Sequence, residues 1–184
     1  SVLELAVLGL LHESPLHGYE LRQRLKATLG SFRAFSYGSL YPTLRRMKDA
    51  GWIAEDEGDA DVVAGAPALT GRRGKVVYKL TAEGKEKFTE LLSEAGPSSW
   101  EDEQFGVHFA FFSKTDPEVR VRILEGRRSR LEERREGVRA GLARTRARLD
   151  SYTLQLQEHG LESVDREVRW LSELIETERK NIPH

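Results

Sequence analysis

The sequence predicts a mainly helical protein with one small β-hairpin, in which an N-terminal module precedes a longer region of helices. Apolar residues recur at helical spacing over most of the 184 residues. β-Branched and aromatic residues cluster in two short runs, 52–55 and 76–80, which are typical of strands. The fold class is therefore mainly α, with the two strands inserted after the first helices.

The first two helices are predicted within the first 30 residues. Residues 3–11 are apolar on all sides and too short to span a bilayer, which indicates a buried helix. Residues 14–18 are predicted to form a turn. A second helix follows over residues 19–28, packed through Leu21 and Leu25.

A third helix is predicted to begin at Ser36, which can cap it, and to end at Gly51. Its apolar side chains recur at i, i+4 and i+7 and form a single stripe: Leu40, Leu44 and Met47. The other faces carry hydroxyls, phenols and cations, and residues 22–48 contain seven cations and no acid. An ordinary amphipathic helix with a solvated basic face is the alternative when this helix is considered alone.

Three helices followed by a hairpin is the element order of a winged helix-turn-helix. In that fold the third helix enters the major groove of DNA and the hairpin, or wing, contacts the flanking backbone. Residues 55–61 contain five acids, which phosphate would repel, so this loop is expected to point away from DNA or to stay mobile. Three cations follow it: Arg72, Arg73 and Lys75. They either contact DNA or pair with the acids in the free protein, and the sequence leaves both open.

These segments resemble the PadR family of bacterial transcriptional regulators. The matching motifs follow in order: Leu8–Leu11, Pro15–Leu21, Ser36–Leu44, Gly51–Ile53 and Tyr78–Gly84. The resemblance implies a dimeric, usually repressing, sequence-specific DNA-binding protein whose C-terminal helices form the dimer. It implies neither the target gene nor the signal.

The third helix supplies most of the candidate DNA contacts. Side chains with hydroxyl groups at its start are expected to face bases or phosphates: Ser36, Tyr37, Ser39 and Thr43. Phenols and cations are expected to contact the DNA backbone and so position the protein on it: Tyr19, Tyr41, Arg45, Arg46 and Lys48. The expected partner is a double-stranded, pseudo-palindromic operator. Because the chain has 29 basic and 30 acidic residues, this binding must come from local charge segregation.

The remainder is predicted to be almost wholly helical. Thr81 can cap a connecting helix that ends at Gly96 and Pro97, so the expected domains are 1–80 (winged module), 81–97 (connection) and 98–184 (dimerisation and effector region). A helix capped by Ser98 or Ser99 then runs through Phe112. Its aromatics either form core or line a pocket for a small-molecule effector, and core is favoured: Trp100, Phe105 and Phe109 are the pocket candidates.

One long helix of roughly 60 Å is predicted from Asp116 to about His159, with Gly160 interrupting it. Apolar side chains on both sides of Gly160 are expected to pair helices in a homodimer: Leu124, Leu131, Val138, Leu142, Leu161, Val164, Val168, Leu171 and Ile175. The 11 arginines between residues 119 and 150 are expected to pair with glutamates along the helix. A second nucleic-acid surface or an anion pocket is the alternative for them.

Several function classes find little support in the sequence. The absence of cysteine excludes disulfides, thiolate catalysis and cysteine-ligated zinc, and the five histidines lack metal-ligand spacing. There is no glycine-rich phosphate loop and no serine in a nucleophile elbow, so neither an enzyme nor a cofactor is predicted. Without a long apolar run or a secretory segment, a cytoplasmic protein with no membrane partner is expected. The main rival function is a helical adaptor that acts through its C-terminal region without binding DNA.

Overall fold

The computed structural model describes residues 2–30, 37–57 and 76–183, and it confirms the mainly helical fold with a small antiparallel sheet. The chain forms two compact units. The first comprises Ser1–Glu94 and Asp102–Lys114, and the second comprises Ala95–Glu101 and Thr115–His184. None of the helices in the described part of the chain is both long enough and apolar enough to cross a membrane.

The first unit is built around its first helix. Its helices are α1 (Val2–Glu13), α2 (Gly18–Leu29), α3 (Leu40–Asp49), α4 (Ala82–Leu92) and α5 (Asp102–Ala110). Of residues 2–11, Glu4 alone is not buried, which confirms the predicted buried first helix. A helix that is apolar on all sides can serve as a core against which several elements pack, and α1 contacts α2, α3, α4 and α5.

The sheet has three strands, β1 (Leu16–His17), β2 (Ile53–Glu57) and β3 (Val76–Leu80), in the order β1-β3-β2. All pairs are antiparallel, with Leu16 and Glu55 both opposite Tyr78. The two predicted strands are confirmed. The third was predicted to be part of a turn, because a two-residue strand carries no periodic signal and forms only by pairing with β3.

Helix α3 starts later than predicted. A short 3₁₀ turn, Tyr37–Ser39, precedes it, and the α-helix itself begins at Leu40. The predicted cap residue, Ser36, lies outside the described residues. The predicted end is confirmed: Gly51 has a φ of 83°, its N–H donates to the Lys48 carbonyl, and the Trp52 N–H donates to the Met47 carbonyl. This pair of hydrogen bonds is the Schellman arrangement, which requires a left-handed residue after the helix.

Thr81 connects the end of α3 to the start of α4. Its Oγ1 accepts a hydrogen bond from the Gly84 N–H at 3.0 Å, which confirms the predicted cap. The same hydroxyl donates to the Gly51 carbonyl at 2.5 Å. A Cβ on Gly84 would lie 2.0 Å from the Trp52 carbonyl oxygen, so only glycine allows this close approach. Residues 51–52 and 81–84 therefore hold each other in place.

The second unit contains two long helices, α6 (Pro117–Thr145) and α7 (Ser151–Asn181), preceded by a 3₁₀ turn at Pro97–Trp100. The expectation of one helix up to Gly160 is wrong: the break falls at residues 146–150, and α7 runs through Gly160. Asp150 explains the position of the break. Its Oδ1 accepts from the N–H groups of Tyr152 and Thr153, both at 2.9 Å, and these hydrogen bonds, first that of Thr153, lower the pKa of Asp150.

Arginine–carboxylate pairs join α6, and the 3₁₀ turn Arg146–Arg148 that follows it, to α7. The pairs include Arg120–Glu178 at 3.0 Å, Arg127–Glu167 at 2.8 Å, Arg135–Asp165 at 3.2 Å and Arg146–Glu158 at 2.7 Å. Positions later in α6 pair with positions earlier in α7, so the two helices form an antiparallel hairpin. Pairing along one helix was expected, and Arg128–Glu132 at 3.6 Å is an example. The cross-helix pairs were not anticipated, because the sequence pattern did not place the break.

The apolar residues predicted for dimerisation are used largely within one chain. Six are buried: Leu124, Leu131, Leu142, Val168, Leu171 and Ile175. Three are half-buried: Val138, Leu161 and Val164. Burial of the six therefore needs no partner chain, because α6 and α7 cover each other's apolar faces. Their expected part in pairing two chains stays a prediction.

Replacing Gly51 by alanine is expected to destabilise the protein by about 1–2 kcal/mol, because a Cβ disfavours the left-handed conformation. Gly137→Ala is the opposite control: Gly137 lies within α6 with open space where a Cβ would be placed, so alanine should stabilise by up to about 1 kcal/mol. Thermal melts of the three proteins measure both effects. Equal melting temperatures for Gly51→Ala and wild type would contradict the assignment of this helix end.

His108 in α5 gives the first unit a pH dependence. It is 3% exposed, and burial lowers its pKa to about 4, whereas an unfolded histidine titrates near 6.5. As pH falls below about 6.5 the unfolded chain takes up the proton first, so stability is lost down to about pH 4, by roughly 3 kcal/mol in total. His108→Leu should show a shallower loss between pH 7 and 5 in thermal melts. Parallel losses in the two proteins would assign the pH dependence to other groups.

Candidate nucleic-acid interface

Helix α3 buries one face in the first unit and exposes the other. The predicted apolar stripe is confirmed, with Leu40, Leu44 and Met47 each at most 2% exposed. The exposed side chains include both predicted and unpredicted residues: Ser39, Pro42, Arg45, Arg46 and Lys48. This exposed face therefore combines the hydroxyl of Ser39 from the preceding turn, a pyrrolidine ring and three cations, with the carboxylate of Asp49 at the end of the helix.

Pro42 was missed by the reasoning from sequence. It lies three residues after Ser39 and three before Arg45, so helical spacing puts it on the same face as both. Proline is tolerated there because the first-turn N–H groups of a helix have no partner within the helix. The spacing from Ser39 was the signal that would have identified it.

Thr43 does not project from the helix as expected. The residue is 2% exposed, and its hydroxyl donates to the Ser39 carbonyl at 2.7 Å. The same oxygen accepts a hydrogen bond from Arg46 Nη2 at 3.1 Å. Thr43 therefore orients the Arg46 guanidinium instead of presenting a group to solvent. Its polar side chain was taken for an exposed one because residue type alone does not reveal a local side-chain-to-backbone hydrogen bond.

The two candidate tyrosines are only partly accessible. Tyr19, in the first turn of α2, and Tyr41, in the first turn of α3, are both half-buried. The Tyr41 ring packs against the core of the first unit. Each ring therefore has an anchored side and an accessible side, an arrangement common for tyrosines at interfaces.

Two cations of α3 face carboxylates from neighbouring elements. Arg46 Nη2 lies 3.9 Å from an oxygen of Glu4 in α1, and Lys48 Nζ lies 3.3 Å from an oxygen of Glu55 in β2. The Arg46 and Lys48 side chains remain 61% and 50% exposed. Such exposed pairs are weak and exchange readily with other anions.

Several predicted contacts lie outside the described residues, namely Ser36, Arg72, Arg73 and Lys75, together with most of the acidic loop. The backbone of Tyr37 begins the 3₁₀ turn before α3, but its side chain lies outside the described part of the protein. The described part of the interface is therefore α3 with the adjoining ends of α1, α2 and β2.

The three aromatics predicted for an effector site do not belong to one structural unit. Trp100 lies in the second unit, where its ring packs on Gly126 and under the Arg130 guanidinium, 5.8 Å from the ring centre. Phe105 and Phe109 belong to the first unit, where their rings stack at 5.8 Å and Phe105 is 2% exposed. The expected single helix through this segment is also wrong, since α5 begins only at Asp102.

A separate cavity of about 260 Å³ lies in the second unit near the end of α6, lined by Val138, Gly141, Leu142, Thr145, Leu149 and Gln157. It falls slightly below the roughly 300–1,000 Å³ of typical ligand sites. Its lining contains none of the predicted aromatics.

Comparison with known proteins places the first part of the chain among bacterial regulators. Residues 7–90 match a family model described as the transcriptional regulator PadR-like family. The negative transcriptional regulator PadR of Bacillus subtilis (strain 168) is 30% identical over 96 residues, which are 52% of this chain and 48% of that protein. The chain thus matches about half the length of this curated relative.

Solved structures with a similar chain trace include Bacillus subtilis PadR in complex with operator DNA and in complex with p-coumaric acid. Both are 21% identical to this chain and cover 97% of it and 99% of their own chains, with TM-scores of 0.44 and 0.43. The PadR-like regulator BC1756 from Bacillus cereus is 22% identical, covers 98% of this chain and 99% of its own, and has a TM-score of 0.42.

Proposed function

Because its residues 7–90 belong to the PadR-like family of transcriptional regulators, we propose that this protein is a sequence-specific DNA-binding regulator that acts on an operator. The observation that carries the proposal is the division of α3 into a buried apolar face and an exposed cationic face. A helix held in this way can enter a major groove without losing its packing. Its relative in Bacillus subtilis is named a negative regulator, which supports repression as the mode of action.

The exposed residues of α3 take different roles in this proposal. Ser39 and Pro42 lie at the start of the helix, the part that reaches base edges in helix-turn-helix proteins. Arg45, Arg46 and Lys48 contact phosphate or guanine, and Thr43 fixes the direction of Arg46. Tyr19 and Tyr41 contact the DNA backbone beside α3. Of the proposed contacts whose side chains lie outside the described part of the protein, Ser36 and Tyr37 join the helix start, while Arg72, Arg73 and Lys75 contact flanking DNA.

Binding to the operator is expected to weaken by roughly a thousandfold or more between 50 and 200 mM salt, as for about six to ten phosphate contacts.

Arg46→Ala should reduce affinity for operator and random duplexes alike if Arg46 contacts phosphate, and should relax specificity at one base pair if it contacts guanine. Lys180→Ala is the control: it also removes one positive charge, from a 73% exposed side chain of α7, and should change neither affinity nor specificity.

A gel-shift titration with the promoter duplex upstream of the protein's own gene, and a random duplex of equal length, measures these affinities. A flat salt dependence would contradict the proposed phosphate contacts. A complete absence of binding to either duplex would favour the rival function, an adaptor that acts through the second unit alone.

We also propose a homodimer, since a pseudo-palindromic operator needs two copies of α3. The surface that supports it differs from the set of nine apolar residues predicted for dimerisation. Large apolar side chains that stay exposed among the described residues all lie on α7: Tyr152 at 83%, Leu156 at 67% and Trp170 at 37%. Tyr152 and Trp170 are separated by about five helical turns, so they share a face, and Leu156 lies next to it.

Leu156→Asp is expected to raise the dimer dissociation constant by roughly a hundredfold or more, because burying an uncompensated carboxylate costs about 3–5 kcal/mol. Gln157→Asp adds the same charge at an exposed position that points about 100° away from Leu156 and about 140° away from Tyr152, and should leave the dimer intact. Sedimentation at micromolar concentration distinguishes the two. A monomeric wild type, or equal behaviour of both variants, would contradict this interface.

A small-molecule effector that releases the operator is the final part of the proposal. Aromatic side chains suit a planar ligand, and the proposed candidates are Phe105 and Phe109 in the first unit and, separately, Trp100 in the second. The Bacillus subtilis protein has been solved with p-coumaric acid, which makes this acid a reasonable first probe. Adding it to the gel-shift titration, with Trp100→Phe as a comparison, tests whether this chain responds to such a compound.

A further inference from the structure

We infer that Glu4 and Glu55 set how strongly α3 holds DNA of any sequence, by pairing two of its cations in the free protein. The inference rests on the proposed function, because it concerns the regulation of the same surface. It adds Glu4 of α1 and Glu55 of β2 to the residues of the candidate interface.

Glu55 is directed at α3 by its position in the sheet. Along β2, alternate side chains face opposite sides, and Glu55 is on the same side as Ile53, which is 2% exposed in the core. Its partner across the sheet, Tyr78, is 4% exposed. This side of the strand packs towards α3, and Glu55 Oε2 ends 3.3 Å from Lys48 Nζ.

Glu4 approaches α3 from another element. It is the one residue of 2–11 that is not buried in the core, and its carboxylate lies 3.9 Å from Arg46 Nη2. Arg46 also donates to Thr43 Oγ1, so its guanidinium is held between a carboxylate and a hydroxyl. Two separate elements thus each supply one acid to α3: Glu4 of α1 faces Arg46, and Glu55 of β2 faces Lys48.

These acids oppose the binding of phosphate in two ways. A phosphate must displace each carboxylate from its cation, and the displaced carboxylate then stays close to the DNA and repels it. Where the paired cation contacts phosphate, both effects act regardless of base sequence, because they concern the DNA backbone. The protein therefore loses affinity for DNA in general, while contacts to base edges keep their full value.

Adjacent residues of β2 provide a matched control. Asp56 points to the other side of the strand, where it pairs with Lys79 of β3 at 3.2 Å. Glu55→Gln and Asp56→Asn each remove one negative charge at neighbouring positions, but only Glu55→Gln frees a cation of α3. Any long-range effect of net charge is common to both, so their difference isolates the pairing with Lys48.

Affinity for a random-sequence duplex is measured by gel shift at 50 mM salt. Glu55→Gln should bind about two- to fivefold more tightly for each subunit in contact with the duplex, which is the range expected for an exposed ion pair, whereas Asp56→Asn should bind like wild type. Glu4→Gln should give a gain of similar size through Arg46. Unchanged thermal melts verify that these substitutions leave the fold intact.

A double-mutant cycle tests whether Glu55 acts through its pair. In a Lys48→Gln background, Glu55→Gln should produce no further gain. Equal gains from Glu55→Gln and Asp56→Asn, a gain that persists without Lys48, or weaker binding by Glu55→Gln would each overturn the inference while leaving the proposed function standing. If wild type and every variant fail to bind both the promoter and the random duplex, the proposed function fails and the inference fails with it.

Discussion

The left-handed turn at Gly51 is the constraint on which the candidate interface depends. It ends α3, and its carbonyl accepts the Thr81 hydroxyl, which also caps α4. Because β2 starts two residues after this turn, the direction of the strand relative to the helix is set there. The contact between Glu55 and Lys48 follows from that direction, and so does the burial of Ile53. A change at Gly51 would therefore affect both the stability of the unit and the charge pattern around α3.

Packing and polarity are coupled in α3. Its apolar face packs in the core around α1. The helix cannot rotate without exposing that face, so the opposite face stays exposed to solvent. Thr43 can be buried although it is polar, because its hydroxyl donates a hydrogen bond to the Ser39 carbonyl one turn earlier and therefore needs no partner from solvent. Its remaining capacity as an acceptor orients Arg46. A buried polar side chain thus contributes to an exposed functional group.

In the second unit, charge and apolar surface have separate tasks. The apolar faces of α6 and α7 cover each other, and the arginines of α6 reach carboxylates of α7 along the edges of the contact. Arg127 is the most enclosed of these: it forms two hydrogen bonds to Glu167 and one to the Trp100 carbonyl. The homodimer that we propose uses the exposed face of α7, which carries fewer apolar side chains than the nine predicted for dimerisation.

Local signals were sufficient to identify most elements from the sequence alone. The apolar stripe of α3, the buried first helix, the cap at Thr81 and the glycine at the end of α3 depend on residues close together in the chain, so propensity and spacing predict them. Tertiary structure decided the rest. The strand at Leu16–His17 exists only because β3 pairs with it, and the partners of Arg120 and Arg127 lie on another helix. The break at Asp150 is different: its cap is local and competes with continuation of the helix, so the sequence contained that signal and it was missed. The carboxylates that face Arg46 and Lys48 come from α1 and β2, and proximity of that kind is set by packing between elements, which residue spacing does not encode.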